Sequence, residues 1–138
     1  MDTAQQHLRE ADGLAAVLDA AYAAYEGMLS VIHLVQDPAS GLFAAFVMAA
    51  ASAADGRNAL ALAPSLPGRP LLAVPAGQQP GLGEPPERVA EVVTRLSQLI
   101  AERLTQAAAS AADTGDRDAC RHAAQRARDI CGLLSTGP

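Results

Sequence analysis

Between Leu8 and Ile32 the chain is apolar in two helical registers at once. Larger side chains recur at Leu8, Ala11, Ala15, Leu18, Tyr22, Tyr25, Leu29 and Ile32. At the same spacing on the opposite side runs a stripe of small residues: Gly13, Ala16, Ala20, Ala23, Gly27 and Ser30. A helix with one apolar stripe lies against a core, whereas one with two is held between partners. The pattern therefore predicts a helix built for packing, and it names no chemistry.

Four helices are predicted, over about 3–36, 39–63, 86–113 and 116–135. Asp2 or Thr3 would cap the first, and Asp37-Pro38 would stop it. The second carries Leu42, Phe43, Phe46, Val47 and Ala50 on one face, with a break expected at Asp55-Gly56. Pro86 suits the first position of the third, whose stripe runs Val89, Val93, Leu96, Ile100, Leu104, Ala107 and Ala111. Thr114 or Asp116 would cap the fourth, which carries Cys120, Ala124, Ala127, Cys131 and Leu134. Residues 64–86 hold seven of the nine prolines and four glycines, so the connector over 64–85 cannot be a regular element for most of its length. Within it, Leu71-Leu72-Ala73-Val74 is the one apolar island, placed to pack as a strap. The expected architecture is one all-α domain, a four-helix bundle of two helical hairpins joined by that connector.

Composition supports helices over sheet. Half of the residues are hydrophobic, but many are alanine and only 3% are aromatic. Alanine favours helix and offers little area to bury. Every basic residue is arginine, which with the alanine, glycine and proline content suggests a GC-rich bacterial genome. A net charge of −5 excludes a general nucleic-acid binder, which needs a basic face. Met1-Asp2-Thr3 lacks the basic start and apolar stretch of a signal peptide, so none is expected. The uncharged run 38–54 is just under spanning length and predicts a buried helix rather than a membrane segment. Cys120 and Cys131, about 16 Å apart on one helix, are beyond disulfide reach and are expected to be free thiols in the cytoplasm.

Charge-bearing groups fall into patterns with ordinary structural explanations. Asp12, Asp19, Glu26 and His33 recur every seven residues on the first helix, and Arg117, Arg121 and Arg128 line the fourth, with Arg126 close by. In an up-down bundle first and last helices are neighbours, so these rows are expected to meet as rim pairs or to lie as a solvated face; the alternative is that the three arginines bind an acidic partner or a phosphate. Asp118 and His122 share a helical face and predict a surface pair. No Glu-x-x-His pair, phosphate loop or Ser-His-Asp arrangement occurs, so neither metal nor cofactor is expected. His33 to Pro38 resembles the H-box of histidine kinases over six residues, a helical histidine with a proline five positions on. It departs at the next residue, where that motif has an acidic partner and this chain has Leu34. Phosphotransfer through His33 is thus a third-rank reading, behind a half-buried His33 closing the first helix.

Function is then expected to lie in binding. Gly13, Val17, Ala20, Gly27, Val31 and Leu34 on the first helix are the residues expected to carry self-association. Gly13 and Gly27 would serve close helix contact, and Val17, Val31 and Leu34 would be an apolar excess left outside the bundle. The expected partner is a second copy in a homodimer, or another protein, with no nucleic acid and no membrane. The alternative is a bundle with a small apolar cavity walled by Tyr22, Tyr25, Phe43 and Phe46, a sensor or carrier.

Overall fold

The computed structural model describes residues 2–35, 39–66 and 85–135. Those residues are all-helical, with five helices: α1 (Asp2–Glu10), α2 (Leu14–Leu34), α3 (Phe43–Ala61), α4 (Pro86–Ser110) and α5 (Thr114–Ser135). Most of the expected connector, from 67 to 84 and with it the 71–74 island, lies outside the described residues.

The expected first helix is two helices. Gly13 stands at φ +90°, open to glycine and rarely to any residue with a Cβ, and it turns the chain between α1 and α2. The break lets α1 fold back on α2 and α4 and bury Leu8 completely. Arg103 of α4 donates to the Ala11 carbonyl freed at the break. Gly13 is therefore explained by its own backbone. Gly27 is not a close contact either, since a Cβ built there meets nothing within 4 Å.

Asp55-Gly56 is no break. The helix α3 continues through it to Ala61, and Gly56 makes room for Tyr25. An added Cβ at Gly56 would stand 2.8 Å from Tyr25 Cζ. Tyr25 is fully buried, and its hydroxyl donates to the Ala123 carbonyl of α5 at 2.5 Å.

Around the core, α2 packs on α3 and α4, and α5 packs on the same two, which places α2 and α5 diagonally opposite. Facing pairs fix the directions. Met28 of α2 meets Ser97 of α4, whose hydroxyl points at the Met28 sulfur, and Ala11 meets Arg103. Asp55 of α3 meets His122 of α5, and Ser65 meets Asp116. Ring neighbours thus run antiparallel, and α3 ends at the opposite end of the fold from where α4 begins. α2 lies between two helices, and its buried side is one broad arc containing Val17, Leu18, Ala21, Ala24, Tyr25, Met28, Val31 and Ile32. The second surface is adjacent to the first, not opposite it. Val17 and Val31, expected outside, are 6% and 4% exposed, and Ala20 is buried as well.

The start of α5 is tied down by carboxylates. Asp113 Oδ1 accepts from the Gly115 and Asp116 amides at 2.7 and 3.2 Å, so Asp113 rather than Thr114 or Asp116 closes this end. Asp116 is buried and accepts from Ser65 N at 2.9 Å and Ser65 Oγ at 2.6 Å. This joins the segment after α3 to the first turn of α5, where a carboxylate also suits the helix dipole.

Candidate interaction surface

The run of α3 from Phe43 to Ala54 contains no charged residue, so a helix there has no charged side to offer water. Its inner side supplies Phe46, Ala49 and Ala53 to the core. Its outer side presents Ala44, Val47, Met48 and Ala51, all exposed and spaced as a continuous helical stripe. Val47 and Met48 are 43% and 56% exposed, and Leu34, at the end of α2, is 40% exposed. The uncharged run predicts burial on every side, and one side is open.

Beside this stripe lies a groove between α2 and α3, lined by Glu26, Leu29, Ser30, His33, Leu34, Ala50 and Arg57. Glu26 and Arg57 pair across it at 3.6 Å, closing its polar end within the molecule. His33 is exposed at the other end, not half-buried. Pro38, the far end of the H-box spacing, lies outside the described residues.

On the other flank, His122 Nε2 lies 2.6 Å from Asp55 Oδ2, and Arg126 Nε lies 3.2 Å from the same oxygen. Arg126 also reaches Asp129 at 3.0 Å. The expected partner of His122 was Asp118, one turn back on the same helix; the neighbouring helix supplies Asp55 instead. Asp19, Glu26 and His33 of α2 and the arginines of α5 stand on diagonal helices, and Glu26 pairs with Arg57 of α3 instead. Arg117 donates to the Ala111 carbonyl at 2.9 Å, Arg128 donates to Thr105 Oγ1 at 2.8 Å, and Arg121 is exposed. Two of the three arginines expected to hold an acidic partner thus serve the fold.

Tyr25 and Phe46 are fully buried core residues, while Tyr22 and Phe43 are half-buried. Burial drives the Tyr25 phenol well above its ordinary range. Burial, helped by the Asp116 carboxylate, pushes the Cys120 thiol up to about 11. Burial also raises Cys131, which is half-buried and donates to the Thr94 carbonyl at 3.7 Å. Both thiols are free and held in the protonated, weakly nucleophilic form. Among the described residues, no three His, Cys, Asp or Glu side chains converge as a metal site. By length and apolarity α2 could cross a membrane, yet half of its most apolar stretch is buried inside the fold.

Comparison with family models, with curated proteins and with solved structures finds no match to this chain.

Proposed function

We propose that this chain is a non-enzymatic helical interaction module that works by self-association in the cytoplasm, through the outer side of α3. In this reading α2 to α5 form a four-helix bundle with α1 folded against it. The observation that carries the proposal is the exposed stripe Ala44, Val47, Met48 and Ala51 on a helix with no charge over three turns. Water gains nothing polar there, so covering the stripe is favourable at roughly 25 cal/mol per Å² of apolar area. The cations on either flank, Arg57 and Arg126, are already paired with Glu26 and Asp55. A membrane surface would call for free basic residues at the rim, and the net charge of −5 opposes anionic lipid. Self-association remains from the sequence expectation, and its surface moves from α2, where Val17 and Val31 are inside, to α3.

The stripe is smaller than the roughly 800 Å² per partner of a standard interface, so a weak, concentration-dependent dimer is expected. Sedimentation equilibrium from micromolar to submillimolar concentration should show monomer giving way to dimer. The double variant Val47→Glu, Met48→Glu should stay monomeric with an unchanged unfolding midpoint, since both side chains face solvent. A wild type that is monomeric at every concentration contradicts the proposal.

A further inference from the structure

Independently of the α3 stripe, we propose that α1 is an exchangeable arm: the groove between α2 and α4 that it fills takes α1 of a second copy, with Gly13 as the hinge. The occupant of this groove is on view, because α1 sits in it. Among the described side chains of α1, Leu8 alone is fully buried; Ala4 packs beside the core, and Gln6, His7, Arg9 and Glu10 are exposed. The arm is thus held by one large apolar anchor. A second copy's α1 is the same helix and offers the same anchor, so a reciprocal exchange leaves both grooves filled.

The two forms differ at the hinge. Helical pairing stops where the Ala11 amide donates to the His7 carbonyl and restarts where the Val17 amide donates to the Gly13 carbonyl. Straightening the chain would pair the amides of 12–16 with the carbonyls of 8–12, giving one helix from Asp2 to Leu34 in exchange for the Arg103 bond to Ala11. The spacing Leu8, Ala11, Ala15, Leu18 already crosses the break in register. A helix of nine residues is marginal alone in water, so α1 keeps its shape only in a groove or as an extension of α2. Against straightening stands Leu8, which loses its groove in a single molecule and regains one only from a partner. Gly13 at φ +90° permits the kink, and a Cβ there would oppose the kink and favour the continuous helix together. The short hinge keeps α1 at home in dilute protein. Between chains already folded both arms must leave at once, so the exchange is made while chains fold at high concentration.

The test runs in the Val47→Glu, Met48→Glu background, where charge interrupts the α3 stripe. Chains with Gly13 intact and with Gly13→Ala are each refolded from urea at submillimolar concentration, diluted to micromolar and sedimented. Both should leave a dimer that persists for hours after dilution, several-fold more abundant in the Gly13→Ala protein. Adding Leu8→Ala should abolish it in both. Refolding isotope-labelled with unlabelled chains lets filtered NMR spectra place the Leu8 methyls, and contacts to α4 of the other copy are expected. Monomer alone from both proteins would overturn the exchange, as would a lasting dimer whose Leu8 methyls touch only their own chain. Should Gly13→Ala fail to refold, the chain with Gly13 intact decides by the same two readouts. Pairing through α3 is judged separately, in the unmodified chain, by a dimer that reverses on dilution.

Discussion

Gly56 is the position where packing and helix propensity pull in opposite directions, and the structure says which wins. Replacing glycine by alanine inside a helix ordinarily stabilises it by about 1 kcal/mol. Here the new Cβ would stand 2.8 Å from Tyr25 Cζ, 3.0 Å from its hydroxyl and 3.1 Å from Cε2. The ring cannot swing aside, being fully buried with its hydroxyl bonded to Ala123 of a third helix. Overpacking of this kind costs about 1–3 kcal/mol, so a central value of about 2 against a gain of about 1 leaves Gly56→Ala destabilised by about 1 kcal/mol. For a chain of this length that lowers Tm by roughly 4 °C. Gly27→Ala is the internal control, because nothing lies within 4 Å of its added Cβ. It should gain about 1 kcal/mol from helix propensity alone. Thermal and urea unfolding followed by far-UV circular dichroism reads both variants. In a Tyr25→Leu background the clash is gone, and Gly56→Ala should become neutral or stabilising. A Gly56→Ala protein that matches or exceeds the wild-type Tm, while Gly27→Ala rises as expected, would show that the Tyr25 ring yields to the added Cβ at no cost.

Three further outcomes follow from the same geometry. Asp116→Ala removes the carboxylate that accepts from the Ser65 amide and hydroxyl; since Ser65 is exposed and can turn to water, the loss should be about 1 kcal/mol by urea midpoint. Val17→Glu or Val31→Glu should lose helical signal and unfold early rather than merely change the mass in solution, because both side chains are inside. Cys120 should resist a thiol reagent at neutral pH until urea is added. Its folded thiol is raised from 9.0 to about 11, so the stability it contributes is full below about pH 9 and is lost as pH rises towards 11. Cys120→Ala should flatten that part of the pH profile, and a reagent that modifies Cys120 at once in the folded protein would contradict its burial.

The all-helical class was legible because alanine and heptad spacing agree along the chain. Two Asp-Gly pairs show where that reading ran out. At Asp12-Gly13 the heptad runs through a turn signal, and the turn prevailed because it lets Leu8 reach the core. At Asp55-Gly56 the same dipeptide looks like a turn, yet its glycine is a notch for a tyrosine thirty-one residues back in the chain. Propensity cannot tell a glycine chosen for its φ from one chosen for its missing Cβ; only the packed neighbour does. The order of helices in the ring was equally hidden. Adjacent first and last helices would join the acidic row of α2 to the arginines of α5, whereas the diagonal arrangement gives Glu26 to Arg57 and Arg126 to Asp55, both through α3. The exposed stripe of α3 had a signal in the uncharged run, but an absence of charge fits burial in the core and burial by a partner alike.

Backbone amide spectra recorded across a dilution series test self-association through α3 directly, since they map contact residue by residue in the unmodified protein. Concentration-dependent shifts should centre on Ala44, Val47, Met48 and Ala51 and extend to Leu34, with Gly13, Ala20 and Gly27 unmoved. Shifts centred on the Gly13 to Gly27 side of α2, or none up to millimolar concentration, would contradict it.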